Sequence, residues 1–332
     1  MTKIIYFFVI MTLCFGCMNR SMLPVEKIPV VIDTDANNEV DDQHALAYLF
    51  MNGKTFDVKG VTVNATFNGG NINEQYDEAC RIVRLCNVNG MPVMKGADDN
   101  FETIVPTVTQ TVFDGSEAVN FIIDQAKSVK DSKLVVIAVG KLTNVALAIE
   151  KDPSITDKIR LVWLGSNYPD PGEYNLDNDI PSMNYLLNTG IEFEMVTVRY
   201  GKPSGTGAVI AFKEDILQRM PGKGPVAKNP VTGRHGKEFR CFGDYSVNLF
   251  EECENHGVPP GRSLFDMAAV AIVKNPSWAE NKVIPAPFMT DGKWIERPDN
   301  KRTITIWENF DVKAILDDFY FTMEHYTLVD LK

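Results

Sequence analysis

Apolar residues in this chain fall into short runs that stop abruptly at polar loops. Residues 28–32 run into an Asp-rich stretch, and residues 45–50 are apolar again. Residues 58–63 give way to an Asn-rich segment at 64–73, then to a helical pattern over 74–86. Residues 134–139 lead through Gly140 into a helical pattern over 142–150. Residues 160–164 lead into a loop at 165–179 and a helix at 182–187, and 191–198 is a further strand candidate. Runs of this length without alternation suit strands buried on both faces. Strand, loop and helix repeated in that order predict an α/β fold: one large domain, residues 28–332, with a mostly parallel central sheet flanked by helices and a Rossmann-like core.

Residues 201–243 break the rhythm. They are rich in Gly, Pro and Lys, as in Pro221-Gly222-Lys223-Gly224-Pro225, with a helical interlude at 212–220. This segment reads as a lid or insertion within the domain. Beyond it the pattern predicts a helix at 263–274, a strand at 303–307 and a closing helix at 312–323.

The first residues carry a different signal. One Lys precedes an apolar run at 4–15, which ends at Gly16-Cys17. The run is short for a bilayer span and suits an export signal. A small residue before Cys resembles a lipoprotein processing site, although Cys14 stands where Leu is usual; the alternative is an ordinary signal peptide cut elsewhere. The expectation is a leader over 1–17, acylation of Cys17, and a tether over 18–27. The product would be exported, periplasmic or at the cell surface, and would meet the membrane only through the lipid. Cys80, Cys86, Cys241 and Cys253 remain; without a CxxC pair they read as small buried hydrophobes.

With 44 acidic against 33 basic residues the net charge is −11. That argues against nucleic acid as a partner. It leaves a metal and a small neutral ligand open. Ligands of open α/β sheets bind beyond the carboxyl ends of the strands, so the residues after each apolar run are the ones to inspect. After the first come Asp33, Asp35, Glu39, Asp41 and Asp42, uninterrupted by Lys or Arg. Carboxylates this close repel one another unless protons or a cation offset them. Two readings fit: a hard-cation site, or a solvated acidic turn capping a helix.

The order of motifs down the chain bears on that choice. Asp33-Thr34-Asp35 with Asp41-Asp42, Gly140-Lys141-Leu142-Thr143-Asn144, Asn167 with Glu173-Tyr174-Asn175, and Leu264-Phe265-Asp266 resemble the inosine–uridine nucleoside hydrolase family over about residues 28–325. The resemblance implies a hydrolase that cleaves the N-glycosidic bond of ribonucleosides with Ca²⁺. Asp35, Asp42, Asp266 and the Thr143 carbonyl would hold the ion, Asp41 would be the general base, and Asn68, Asn167, Glu173 and Asn175 would grip the sugar. Asn64 and Asn71 compete with Asn68 for its place, and Asp33 would be a support. Relatives are commonly homo-oligomers. Two departures stand out. The Asp pair comes two residues late, and Phe265 occupies the place of a His that helps protonate the leaving base. These departures keep two alternatives alive: a lipoprotein that binds a ribosyl ligand without turnover, and a hydrolase of a different glycoside.

Overall fold

A computed structural model describes residues 26–38 and 40–331. The expected leader, Cys17 and Glu39 lie outside the described residues. Eight strands form one sheet: β1 (Ile28–Thr34), β2 (Phe56–Val63), β3 (Val93–Lys95), β4 (Leu134–Ala138), β5 (Ile159–Leu164), β6 (Glu192–Val196), β7 (Glu280–Pro285) and β8 (Thr303–Glu308). Their order is β7-β8-β6-β5-β4-β1-β2-β3. Every neighbouring pair is parallel except β7 with β8. The α/β expectation holds.

The inner strands are apolar on both sides because both sides are covered. Val30 and Ile32 of β1 join one buried cluster, with residues of α1 (Asp41–Phe50), α2 (Ile72–Leu85) and the helices Phe265–Lys274 and Val312–Glu324. Val31 joins a second cluster with the helices Ser116–Ser128, Thr143–Lys151 and Ile180–Leu187. The period-2 geometry of a strand sends neighbours to opposite faces.

The order of strands positions the site. From β1 the chain builds outward to β2 and β3; β4, β5 and β6 then build outward on the other side. A crevice opens between β1 and β4 where that winding reverses. The loops beyond β1, β2, β4, β5 and β6 all meet there.

The segment 201–243 holds a strand Ile210–Phe212 that pairs with Gly261–Ser263, the helix Lys213–Arg219, and a short hairpin of Val231–Thr232 with Glu238–Phe239. The hairpin is tied to α2 through Arg81 Nε, which donates to the Thr232 carbonyl at 2.7 Å. The four described cysteines are free, with Cys86 and Cys241 buried.

Candidate active site

The acidic residues reach the crevice by different routes. Asp33 is the next-to-last residue of β1, in register with Thr62 of β2 and Ala138 of β4. It is fully buried and accepts from Thr62 Oγ1 (2.5 Å), Asn144 Nδ2 (2.7 Å) and Asn64 Nδ2 (3.0 Å). Its carboxylate therefore joins β1, β2 and the start of helix α3 (Thr143–Lys151) beneath the cleft. Burial pushes its pKa up to about 7.

Asp35, Asp41 and Asp42 face the cleft itself. Asp41 and Asp42 form the first turn of α1, where the helix dipole favours negative charge. Asp266 occupies the first turn of α6 (Phe265–Lys274) in the same way; α4 (Tyr174–Asn178) and α5 (Phe242–Glu252) lie between it and α3 in the chain. Asp41, Asp42 and Asp266 each bring a carboxylate oxygen within 4.8 Å of the others. Asp35 stands beside them and accepts from Thr66 Oγ1 at 2.5 Å. Thr34 Oγ1 donates to Asp42.

This geometry rules out the solvated helix cap. The four acids are 1–7% exposed, and the residue that caps α1 is Val40, with no side-chain bond. Burial pushes Asp35 up to about 6 and Asp41 up to about 7, and mutual repulsion adds to Asp41, Asp42 and Asp266. The buried Lys141 ammonium pulls Asp35 the other way. Four buried oxygen-donor side chains with so little countercharge form a set that a hard divalent cation fits.

The opposite wall carries Asn68, Glu173, Tyr174, Asn175, Tyr200 and Phe265. Glu173 is buried, and its Oε2 accepts from the N–H groups of Ser166 (2.8 Å) and Leu176 (3.0 Å), capping α4. Burial lifts its pKa to about 7. Asn175 donates both amide hydrogens to main-chain carbonyls at the ends of β4 and β5, Val139 (2.9 Å) and Leu164 (3.0 Å). Ser166, Glu173 and Arg199 all have positive φ, so strained backbone is concentrated around the cleft. Gly140 is needed for a different reason. A Cβ there would lie 2.7 Å from Asn64 Oδ1 and 3.0 Å from Asp35 Oδ1.

The structure sorts the residues named from sequence. Asp35, Asp41, Asp42, Asp266, Asn68, Glu173 and Asn175 line one cleft. Among the three candidate asparagines, Asn64 is spent on Asp33 and Asn71 caps α2 in a capping box, which leaves Asn68 at the cleft. Thr143 is buried at the start of α3, its hydroxyl donating to Asp179, and its side chain does not line the cleft. Asn167 does not line it either; its Oδ1 accepts the N–H of Tyr200 at 3.2 Å. Tyr200 takes the position facing the cavity, set edge-on against Phe265 with ring centroids 5.7 Å apart. Burial and the nearby carboxylates of Glu173, Asp41 and Asp266 keep its phenol protonated.

Sequence reasoning missed Tyr200, Tyr174 and Asn38 as lining residues. Arg81 of α2 is paired with the buried Glu78. Phe242 and Tyr245 are core residues; the Tyr245 hydroxyl donates to Glu78.

Together these features define an α/β protein with a buried acidic cleft suited to a cation and a polyhydroxylated ligand. The comparisons carry the identification further. Residues 30–317 match the family model described as inosine-uridine preferring nucleoside hydrolase. The chain is 26% identical over 238 residues to a probable uridine nucleosidase 2 of Oryza sativa subsp. japonica, a match taking in 63% of this chain and 66% of that protein. It is 22% identical over 289 residues to the inosine-uridine preferring nucleoside hydrolase of Crithidia fasciculata, covering 80% and 85%. Its fold is similar to that of a plant nucleoside hydrolase, with a TM-score of 0.69 at 15% identity over 90% of this chain and 99% of that one. The chain belongs to the inosine-uridine preferring nucleoside hydrolase family, a family of N-glycosidic bond hydrolases.

Proposed function

We propose that this protein hydrolyses the N-glycosidic bond of ribonucleosides to free base and ribose, with Ca²⁺ in the acidic cluster. The observation that carries the reading is the meeting of Asp41, Asp42 and Asp266 in a buried cleft that Glu173 and Asn175 close on the other side. Asp35, Asp42, Asp266 and the Thr143 carbonyl would hold the ion. When bound, it would orient the vicinal diol of the sugar and acidify the attacking water.

The remaining roles follow from the chain's own side chains. Cleavage passes through a state with positive charge on the sugar, and surrounding carboxylates stabilise that charge as it grows. Asp41 takes the proton of the attacking water. With its carboxyl lifted to about 7, it is matched to that task near neutral pH. Asn68, Glu173 and Asn175 orient the sugar. Phe265 offers an apolar face to the departing base but no proton, so the base leaves with a proton drawn from solvent.

The test is incubation of the purified chain and Ca²⁺ with purine, pyrimidine and nicotinamide ribosides, with free base quantified by chromatography. Asp41→Asn should lower turnover by about 10²–10⁴-fold while the thermal shift on adding Ca²⁺ is retained. Retained turnover would remove Asp41 from the base role. Phe265 in the cleft favours a second reading, a ribosyl-binding protein without turnover; calorimetric binding of ribose with no base released would select it. The leader and Gly16-Cys17 support an exported, lipid-anchored protein. Labelling with a radioactive fatty acid, lost in Cys17→Ser, tests the anchor, and light scattering tests for a homo-oligomer.

A further inference from the structure

A ribonucleoside has three free hydroxyls. In the reading above, on which this inference rests, the vicinal pair is taken by the cation. The primary hydroxyl is left for the wall formed by Glu173, Asn175 and Tyr200. A hydroxyl bound in a buried site needs both an acceptor for its proton and a donor for its oxygen. Asn175 supplies an acceptor only, and Glu173 does so as the carboxylate. The Asn175 amide hydrogens are both spent on the Val139 and Leu164 carbonyls, and Glu173 is held by main-chain N–H groups. Tyr174 is spent as well: its oxygen accepts from the Asn68 N–H, and its proton goes to Thr66. Apart from the exposed amide of Asn68, the Tyr200 hydroxyl is the donor left on this wall; among the described residues no hydrogen bond takes its proton.

Tyr200 is also held in place as a binding residue needs to be. Arg199 before it has a φ of 47°, a conformation few non-glycine residues adopt. Three contacts fix that turn: Arg199 Nε to the Tyr168 carbonyl (2.9 Å), Nη1 to Ser204 Oγ (3.1 Å) and Nη2 to Glu308 (2.7 Å). The Asn167 amide holds the Tyr200 N–H, and Phe265 backs its ring. We infer that Tyr200 is the specificity residue of the sugar subsite: its phenol hydroxyl donates to the primary hydroxyl of the nucleoside beside Glu173. Asn167 is a positioning residue that acts through Tyr200.

The test compares kcat/KM for uridine and inosine with that for their 5′-deoxy counterparts, in the full chain with Ca²⁺. Wild type should prefer the ribosides by about tenfold or more, because a site built to pair a hydroxyl is left unpaired by the analogue. Tyr200→Phe should lose about tenfold on the ribosides, the size of one hydrogen bond, and less than twofold on the 5′-deoxy compounds. Its melting temperature and Ca²⁺ response should not change. Asn167→Ala should show the same selective loss, smaller in size. An equal loss on both substrate classes, or a wild type that does not discriminate, overturns this inference and leaves the hydrolase reading standing. A wild type inert on every riboside overturns both.

Discussion

Asp33 offers a sharp test of how the cleft is supported, because Asp33→Ala and Asp33→Asn should differ in cost. In the wild type, three donors from β2, the loop after it and α3 converge on this carboxylate. Alanine strands the Thr62 hydroxyl and the Asn64 amide; Asn144 Nδ2 keeps a second acceptor, the Val63 carbonyl at 3.0 Å. At about 1–3 kcal/mol for each of the two stranded buried groups, the loss is about 2–6 kcal/mol, a large part of a total stability of roughly 5–15 kcal/mol. Asparagine keeps an oxygen for Thr62 and Asn144 and presents an NH₂ to Asn64. The Asn64 Oδ1 has no partner in the folded chain, so turning that amide over satisfies both groups. The cost should be about 1 kcal/mol or less at pH 8. The pH dependence separates the variants further. Burial lifts Asp33 from 3.8 to about 7, so the folded state holds this proton more tightly than the unfolded chain. The stability it contributes is full below about pH 4 and is lost as pH rises through about 7. At about 1.4 kcal/mol per pH unit, that loss is on the order of 4 kcal/mol. Asparagine does not titrate, so its stability should fall less between pH 5 and pH 8. The assay is urea denaturation in the presence of a chelator at both pH values, reading each variant against wild type so that other groups cancel. An Asn variant as unstable as the Ala variant at pH 8, or one with the full wild-type slope, would refute the reasoning.

Three further outcomes follow from the same geometry. Without divalent cation, wild type should melt lower at pH 8 than at pH 5, since Asp33, Asp35, Asp41 and Glu173 are all raised to about 6–7; Ca²⁺ at about 100 times its Kd should restore about 2.7 kcal/mol at pH 8, and scanning calorimetry reads both effects. His44, fully buried, donates from Nδ1 to the Val40 carbonyl (2.5 Å) and accepts from the Ser246 hydroxyl at Nε2 (2.7 Å), and burial lowers its pKa to about 4. Its contribution is present above about 6.5 and lost as pH falls through about 4; His44→Ala should cost about 3 kcal/mol by chemical denaturation and, because Val40 caps the helix that carries Asp41 and Asp42, should also slow turnover. Lys141 Nζ donates to the Asp98 and Asp99 carbonyls at 2.9 and 2.7 Å, and its charge acts on Asp35. Lys141→Met should lower the melting temperature by several degrees yet tighten Ca²⁺ binding in calorimetry, and a weaker affinity for the ion would contradict the charge argument.

The fold was legible wherever burial on both faces left a continuous apolar run. β1, β2, β4, β5 and β6 were each anticipated to within two or three residues. β3 has three half-buried residues and no apolar run to reveal it. β7 escaped notice because, as an antiparallel edge strand, it keeps Glu280, Asn281 and Lys282 in solvent, which is how edges avoid pairing with other chains. Helix α5 begins at the end of the segment whose Gly and Pro content suggested irregular structure, and it was not anticipated. Its apolar face, with Phe242, Tyr245, Leu249 and Phe250, is among the most buried in the chain. Helix α1 begins at Asp41; the two acids could be read as a cation site or as a solvated cap because charge hides a buried first turn.

The site shows a different limit. Spacing identified acids and amides in the right order, and seven of the residues named from it line one cleft. What spacing could not show is which way a side chain is spent. Asn167 keeps the six-residue separation from Glu173 that the family pattern requires, yet its amide is used on the backbone of Tyr200. Tyr200 follows a strand end and a left-handed residue, and no local signal marks it apart from an exposed turn tyrosine. Its placement depends on Arg199 reaching Glu308 across 109 residues of chain, a contact that sequence alone does not reveal. The polar groups in the cleft that face inward are thus the ones whose main-chain obligations are met elsewhere. Asn175 gives its hydrogens to two strand ends and keeps an oxygen, and Glu173 gives one oxygen to a helix cap and keeps the other. A motif fixes the residue type at such a position; the hydrogen-bond ledger of the folded chain decides which atom is left for the ligand.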